Sequence, residues 1–257
     1  MNKKYISLIA LSCTVLQTAC VCEDLPADSF GKEGRFALEL RAGGIHTDVT
    51  TRTENLVDVN TFKVSLMDKE GISLIQDKPF GSLTETDRTL PVGTGYSISV
   101  ESCTPDEAIT LNNGWGSIRF CGDTVFNVVA DSTTTLSLNC TMENAGLQVH
   151  FDEAFVAKFA NHAVTTQDVR SLVFKNATPN AIAFYNIQEE ASHSVTLKVS
   201  GSAGSWADRI EKSIETTLPK GKITRLTVKY VENSGSLDLD FETDTEMDTE
   251  DNNVTVK

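Results

Sequence analysis

The sequence lacks the motifs that identify the common catalytic and metal-binding classes. It contains no Gly-x-Ser-x-Gly nucleophile elbow, no phosphate-binding loop and no His-Glu-x-x-His motif. Cys20 and Cys22 lie two positions apart, but no second ligand pair follows at zinc spacing and no Cys-x-x-Cys occurs. No two of the four histidines stand at zinc spacing: they are His46, His150, His162 and His193. These absences predict a protein that is not an enzyme and holds no metal or cofactor.

The chain is also poor in basic residues. It has 22 Lys and Arg against 36 Asp and Glu, for a formal net charge of −14. An acidic surface repels the phosphate backbone, so no nucleic-acid partner is expected. The acids are densest at residues 238–251. We interpret this segment as a solvated strand face that runs into an acidic loop. A calcium site is the alternative, but EF-hand spacing and a loop glycine are absent.

Apolar runs long enough to span a bilayer are absent as well. The run at residues 6–16 is too short to span, but it has the length of a signal-peptide core. Two lysines precede it and two small residues lead to Cys20, which is the order of a bacterial lipoprotein signal, although Gln17 replaces the usual Leu. We predict a signal peptide over residues 1–19, cleavage between Ala19 and Cys20, and a lipid anchor on Cys20. The alternative is an ordinary secretory signal that leaves Cys20 as a free thiol.

A lipid on Cys20 would determine where the protein works. Two acyl chains hold a protein stably on a membrane without spanning it. Glu23 and Asp24 follow the anchor directly, and acids there resemble the export signal that sends lipoproteins of some Gram-negative gut bacteria to the outer face of the outer membrane. We therefore predict a protein that is lipid-anchored in the outer membrane and faces the cell exterior. Residues 20–33 would form a linker.

Alternation of apolar and polar residues is the dominant pattern in the rest of the chain. Runs of four to eight residues with period 2, broken by Gly, Asn, Asp and Pro, predict short strands with one buried face. Such runs occur at residues 35–40, 61–66, 96–100, 124–130, 134–140, 147–151, 171–174, 194–199, 223–230, 236–241 and 253–256. One short helix is predicted near residues 152–160, where Asp152 can cap the segment that contains Phe155 and Phe159. The segment 206–215 is ambiguous. The pattern predicts an all-β fold of the sandwich type.

A weak internal repeat favours two similar domains. "TLPVGTGYSISV" begins at Thr89 and "TLPKGKITRLTV" begins at Thr217. In both segments Pro would end one strand and Gly would permit the turn into the next strand. We predict an N-terminal β-sandwich at residues 34–143 and a C-terminal β-sandwich at residues 144–257.

Cysteine, tryptophan and Asp-Ser/Thr triplets supply the remaining candidate sites. Cys103 and Cys121 could form a disulfide, which the exported compartment permits; the alternative is that both, with Cys140, are free buried thiols. Trp115 and Trp206 are either surface platforms for sugars or partly buried core covers, and we favour the second. The triplets that contain Thr124 and Ser132 resemble the O-glycosylation motif of these gut bacteria.

The order of these segments resembles a known group of proteins. "GKEGRFALELRA", "LPVGTGYSISVESC" and "GWGSIRFCGDTVFNVVADSTTTLSLNCTMENAGLQVHFDEAFVAKF" are similar to gut-bacterial surface lipoproteins that share a domain of unknown function and are fimbrillin-like. The resemblance is good over residues 31–166 and looser beyond. It implies two tandem transthyretin-like, immunoglobulin-like β-sandwiches.

The resemblance also implies a non-catalytic role in assembly or adhesion. Fimbrillins are exported as lipoproteins, a protease removes a leading segment after an Arg, and a strand of the next subunit fills the groove. Arg41 and Arg52 are the candidate cleavage sites. The implied partners are the membrane, other fimbrial subunits through strand addition, and host or glycan ligands. The alternative function is a surface glycan-binding lipoprotein of a nutrient-uptake system.

Overall fold

This computed structural model describes six stretches of the chain, with only the backbone from residue 231 onward. They are residues 31–43, 58–159, 161–187, 191–202, 209–233 and 236–244. Their strands are β1 (Glu33–Ala42), β2 (Lys63–Met67), β3 (Ser73–Pro79), β4 (Thr89–Pro91), β5 (Gly93–Glu101), β6 (Phe120–Val128), β7 (Thr133–Met142), β8 (Asn144–Phe151), β9 (Asn161–Thr166), β10 (Val173–Phe174), β11 (Ile182–Asn186), β12 (Ser192–Ser202), β13 (Arg209–Pro219), β14 (Ile223–Asn233) and β15 (Ser236–Asp244). The all-β prediction is confirmed.

Strands β1 to β7 form the first β-sandwich. One layer has the order β4-β1-β7 and the other has the order β3-β2-β5-β6. The layers are joined where Phe120 pairs with Met142 and Cys121 pairs with Thr141. Strands β1 and β7 run parallel to each other. Because apolar residues alternate along these strands, one face of each layer supplies the side chains of a shared core.

Strands β8 to β15 form the second β-sandwich, and its strand order repeats the first. One layer is β11-β8-β14 with β15 added at the β14 edge, and the other is β10-β9-β12-β13. Strands β8 and β14 are parallel, as β1 and β7 are in the first sandwich. Replacing each strand number n of the first sandwich by n + 7 gives the order of the second, apart from β15. The prediction of two similar β-sandwiches in tandem is therefore confirmed.

The repeat that suggested this duplication occupies non-equivalent positions. Thr89 begins β4, and the turn after it leads into β5. Thr217 lies near the end of β13, and the turn after it leads into β14. In the second sandwich, the connection equivalent to β4–β5 is β11–β12, whereas Thr217 precedes the β13–β14 turn. The two segments therefore form a similar local turn at different positions of the fold. In both, the Leu after the Thr is buried, because a strand end must supply an apolar residue to its core.

Two short α-helices lie among the described residues, where one was predicted. The predicted helix α2 (Glu153–Lys158) begins after Asp152, whose carboxylate accepts a hydrogen bond of 2.8 Å from the backbone N–H of Phe155. The helix that was not predicted, α1 (Pro105–Thr110), begins after Thr104. The segment 206–215 is a strand where it is described, since β13 begins at Arg209. No α-helix in these ranges is long and apolar enough to cross a bilayer.

The two sandwiches are directly linked and in contact. Strand β7 ends at Met142 and β8 begins at Asn144, so Glu143 alone connects them. Phe184 and Ile223 of the second sandwich pack into the core of the first. The domain limits 34–143 and 144–257 remain a prediction.

Candidate functional site

Strand β1 is a core strand although it stands at the beginning of the fold. Its sequence alternates, and the inward side chains of Phe36, Leu38 and Leu40 are 1%, 4% and 1% exposed. The Phe36 ring lies 5.6 Å from the Phe126 ring on the opposite layer. These side chains fill the space between the layers, so the first sandwich depends on β1 for part of its core.

The hydrogen-bond partners of β1 are unequal on its two sides. On one side it pairs with β7 along its length, from Arg35 with Thr133 to Ala42 with Cys140. On the other side, within the described residues, it pairs with β4 over residues 33–35 and with no other strand. Removing β1 would therefore leave a groove between β4 and β7, open to the core and edged by the unpaired backbone of β7.

Arg41 lies at the end of this strand. It pairs with Asn139 of β7, and its side chain is half-buried. Its Nε is buried and makes no hydrogen bond within the described residues. A protease could cut after Arg41 only if the end of β1 first separated from β7, because proteases require an extended, accessible chain. The second candidate cleavage site, Arg52, lies outside the described residues.

A loop between β5 and β6 joins the first sandwich to the second. The carbonyl oxygen of Trp115 accepts a hydrogen bond of 2.8 Å from the backbone N–H of Phe184 in β11. The side chain of Asn186 donates a hydrogen bond of 2.7 Å to the carbonyl oxygen of Pro105. The Trp115 ring meets the Phe174 ring edge-on, with centroids 4.9 Å apart. This loop is therefore held by both polar and apolar contacts to the second sandwich.

The side chain of Asn144 also stabilises the junction between the two sandwiches. It is 1% exposed. Its amide donates a hydrogen bond of 2.7 Å to the carbonyl oxygen of Ser117 and accepts one of 3.1 Å from the backbone N–H of Arg119. Its own carbonyl oxygen accepts a hydrogen bond of 2.9 Å from the backbone N–H of Gly221. One buried side chain thus satisfies polar groups that would otherwise be buried without partners.

A cleft of about 700 Å³ opens beside this junction. We call it the junction cleft. It is lined by the loop before β6, by the segment that leads into β11, and by several other residues of the two sandwiches. The lining residues are Thr61, Phe62, Ser102, Cys103, Leu111, Asn112, Trp115, Gly116, Ser117, Ile118, Phe120, Thr178, Asn180, Ala181, Ile182 and Phe184. It lies within the ~300–1,000 Å³ that is usual for small-ligand pockets.

Comparison with known proteins assigns the chain to a family. The model described as "Domain of unknown function (DUF4493)" matches residues 32–257. The chain belongs to the DUF4493 family. The predicted resemblance to proteins that share a domain of unknown function is therefore confirmed. A comparison with curated proteins finds no match.

Several solved structures of fimbrial proteins are similar to this DUF4493 chain. A fimbrial assembly protein from Parabacteroides distasonis is 13% identical, with a TM-score of 0.46, over 83% of this chain and 100% of that chain. The fimbrial anchor protein Mfa2 from Porphyromonas gingivalis is 12% identical, with a TM-score of 0.41, over 83% and 98%. The C-terminally truncated tip fimbrial protein Mfa3 from the same species is 8% identical, with a TM-score of 0.46, over 83% and 100%.

The cysteines of the DUF4493 domain lie near one another in the first sandwich. No disulfide joins Cys103, Cys121 or Cys140 in this structure. Burial raises the pKa of Cys103, and it raises the pKa of Cys121 and of Cys140 to about 11 in each case. The disulfide between Cys103 and Cys121 remains a prediction. Cys140 packs in the core, as expected for a small apolar residue.

The other predicted site residues differ in how far they are buried, where the structure describes them. Thr124 is half-buried in the middle of β6, whereas Ser132 is exposed beside the start of β7. Trp115 is half-buried and packs against the second core, and it also borders the junction cleft. The packing agrees with the favoured interpretation, a partly buried core cover. Trp206, Ala19 and Cys20 lie outside the described residues.

The three histidines that the structure describes do not form a metal site. His150 is exposed on β8, and His46 lies outside the described residues. His162 packs against the rings of Phe151 and Phe155, and His193 stacks on Tyr185. Among the described residues, no three His, Cys, Asp or Glu side chains are placed to hold a metal ion. The acidic segment 238–251 begins within β15, and residues 245–251 lie outside the described residues.

The contact between the β5–β6 loop and the second sandwich was not predicted from the sequence. Its signal was the run Asn112-Asn113-Gly114-Trp115-Gly116, which has positive φ at all four positions other than the tryptophan. Asn and Gly are the residues that tolerate this backbone conformation best. Four such residues around one tryptophan indicate a loop built to hold that ring in place.

Proposed function

We propose that this protein is a non-catalytic cell-surface protein of the fimbrillin type, anchored in the outer membrane through a lipid on Cys20. It acts as a fimbrial subunit, a fimbrial anchor or an adhesin, and it joins other fimbrial components by exchange of its first strand. The observation that carries this proposal is the position of β1. It is the first of the described strands, it contributes to the core, and it ends one residue beyond a candidate cleavage site.

The burial of β1 supports strand exchange. Each of Phe36, Leu38 and Leu40 contributes about 1.5–3 kcal/mol when fully buried, or roughly 5–9 kcal/mol together as an upper estimate. A whole domain is stabilised by only about 5–15 kcal/mol. Loss of β1 without replacement would therefore unfold the first sandwich. A strand from another subunit, with apolar residues at alternate positions, would restore both the core and the pairing to β7.

Cleavage at either candidate site would separate β1 covalently from the rest of the chain. A cut after Arg52 leaves β1 intact and paired, so it needs no prior opening of the strand. A cut after Arg41 lies within the pairing with β7 and requires local opening first. If neither site is cut, the chain keeps Cys20 and works as an anchor or a free adhesin.

The experiment is an immunoblot of cell-surface material, loaded with and without boiling. A subunit gives a ladder of high-mass bands that collapses on boiling, and its N-terminus begins after Arg41 or Arg52. An anchor or adhesin gives a single band near the mass of the lipidated chain in both lanes. Arg41→Lys and Arg52→Lys keep the charge and remove the arginine, so the variant at the true cleavage site abolishes the ladder. Arg35→Lys, on the same strand, is the control and leaves the pattern unchanged.

Protease added to intact cells tests the surface location separately. We expect the protein to be digested together with a known surface lipoprotein, while a periplasmic marker is spared. A protein that survives while the surface marker is digested would overturn the proposed location. A Cys20→Ala variant should lose its association with the membrane fraction. Retention of that variant in the membrane would overturn lipid anchoring.

A further inference from the structure

We propose that the junction cleft binds an uncharged glycan segment. This goes beyond the proposed assembly role and does not depend on strand exchange, because the cleft exists in the uncut chain. The cleft combines an aromatic ring, apolar side chains, and amide and hydroxyl groups.

The charge of the lining indicates an uncharged ligand. The chain carries a net charge of −14, yet among the described residues no Asp, Glu, Lys, Arg or His lines the cleft. A charged ligand would lose its hydration there without gaining a counter-charge, which is strongly unfavourable. The net negative charge of the chain would in addition repel anionic polysaccharides.

The polar groups of the lining match a hydroxyl-rich ligand. The lining supplies hydroxyl and amide groups, which both donate and accept hydrogen bonds, from Ser102, Asn112, Ser117, Thr178 and Asn180. The side chains of Ser102, Asn112 and Thr178 already bond within the chain and keep further donor or acceptor capacity. Sugar hydroxyls do the same. The side chain of Asn180 is exposed and bonds to no other residue in the described part of the chain, so it is free to bind a ligand.

The apolar side chains of the lining match the C–H groups on the face of a sugar ring. Trp115 stands at the edge of the cleft, and its orientation is fixed by the edge-on contact with Phe174. Leu111 is 45% exposed beside it. Asn112 closes the loop by donating a hydrogen bond of 2.7 Å to the carbonyl oxygen of Gly116. An aromatic ring that is already held in place binds a ligand without the cost of being ordered.

A peptide strand is a poorer match to the same cleft. Peptides that add to a sheet need free backbone groups on an edge strand. Strand β11 borders the cleft, but at Phe184 its backbone is occupied by this chain. The N–H donates to Trp115, and the carbonyl oxygen accepts a hydrogen bond of 2.8 Å from Arg170. The side chains of Ser117 and Asn180, which make no hydrogen bond among the described residues, are left to bind a ligand in place of a strand edge.

The experiment measures binding to the full-length protein by titration calorimetry. The uncharged probes are maltohexaose, cellohexaose, xylohexaose and mannohexaose. The charged probes are hexagalacturonic acid and a heparin hexasaccharide, and the peptide probe is an uncharged Ser/Thr/Gly hexapeptide. We expect at least one uncharged hexasaccharide to bind, and the charged probes and the peptide not to bind. Binding of none of the uncharged hexasaccharides, or binding of the charged probes or the peptide with equal affinity, would overturn the proposal.

Affinity measurements on point variants test whether the glycan binds in the junction cleft. Asn180→Ala removes an exposed amide without breaking an internal contact, and it should weaken binding about tenfold, the loss of one good contact. Asn139→Ala removes an exposed amide on β7, away from the cleft, and should leave binding unchanged. Trp115→Phe keeps an aromatic ring and tests the stacking surface, with melting temperature as the folding control. Equal affinity in the parent and in a folded Asn180→Ala variant would exclude the junction cleft as the site.

Discussion

The backbone N–H of Phe184 donates a hydrogen bond of 2.8 Å to the carbonyl oxygen of Trp115, and so connects an edge strand of the second sandwich to a loop of the first. Both residues line the junction cleft, and buried Asn144 bonds to Ser117 in the same loop. The two sandwiches are therefore joined by a network of contacts in addition to their single connecting residue. That network makes their relative orientation part of the fold.

Substitution of Asn144 should weaken the junction. Asn144→Ala removes the partners of the Ser117 carbonyl oxygen and the Arg119 N–H, and each buried group left unpaired costs about 1–3 kcal/mol. Urea unfolding followed by circular dichroism should show a lower midpoint. Asn139→Ala, at an exposed position on β7, is the control and should change stability by less than about 0.5 kcal/mol. Equal midpoints for the two variants would contradict a structural role for Asn144.

Substitution of two glycines in one loop by alanine should distinguish the cost of steric crowding from the cost of backbone strain. Gly114 and Gly116 both have positive φ, +86° and +83°. A Cβ on Gly114 would meet nothing within 4 Å, whereas a Cβ on Gly116 would lie 2.3 Å from the carbonyl oxygen of Ala108. Gly114→Ala should cost roughly 1–2 kcal/mol from strain alone. Gly116→Ala should cost clearly more, measured by thermal unfolding. Equal costs would mean that the loop moves away from Ala108 freely.

Acid should destabilise the first sandwich through two carboxylates. A hydrogen bond from Lys63, with others from Thr104, lowers the pKa of Glu107 from 4.5 to about 2. A hydrogen bond from Lys78, with others from Thr84, lowers the pKa of Asp87 from 3.8 to about 2. Because the folded state binds these protons less tightly than the unfolded state, the stabilisation is complete above the ordinary pKa and is lost as the pH falls to about 2.

Variants at these acids should reduce the pH dependence. Urea midpoints measured from pH 6 to pH 2 should fall less steeply for Glu107→Gln and Asp87→Asn than for the parent, and both variants should be less stable at pH 6. Asp123→Asn, at an exposed acid on β6, serves as the control and should follow the parent curve. Parallel curves for all four proteins would show that these two carboxylates do not contribute to acid sensitivity.

The cysteines of the first sandwich should react slowly in the folded protein. The thiolate is the reactive form, and a thiol with a pKa of about 11 is only about one-thousandth ionised at pH 8. Iodoacetamide should therefore label Cys121 and Cys140 far more slowly in the native chain than in urea, as measured by peptide mass spectrometry. Equal rates in both states would contradict their burial. If Cys103 and Cys121 resist labelling in urea until a reductant is added, they are joined in the predicted disulfide.

Strands with strict alternation could be predicted from the sequence, and strands without it could not. β1, β7 and β12 alternate and bury one face, so their pattern is visible without the structure. β3 (Ser73–Pro79) and β9 (Asn161–Thr166) have few apolar residues and were not predicted. Each lies beside a stronger strand, which supplies the hydrogen bonds that hold it. Pairing of this kind is a tertiary property and leaves no local pattern.

The helix α1 did have a local signal that was not used. Thr104-Pro105-Asp106-Glu107 is a capping box: the Thr104 hydroxyl accepts a hydrogen bond of 3.2 Å from the Glu107 N–H, and the Glu107 carboxylate accepts one of 2.8 Å from the Thr104 N–H.

The junction cleft, in contrast, has no local signal in the sequence. Trp115 and Asn180 are 65 residues apart in sequence, and only the packing of one sandwich on the other brings their loops together.

The parallel pairing of β1 with β7 determines how the first sandwich would respond to mechanical tension. Strand β7 leads through Glu143 directly into β8, so a pull between the N-terminal segment and the second sandwich enters at the start of β1 and leaves at the end of β7. Because the strands are parallel, these points lie at opposite ends of the pair. The force therefore acts in shear and loads all the hydrogen bonds between the two strands together. An antiparallel pair would open one bond at a time from its loaded end, so the observed geometry is the one that resists stretching.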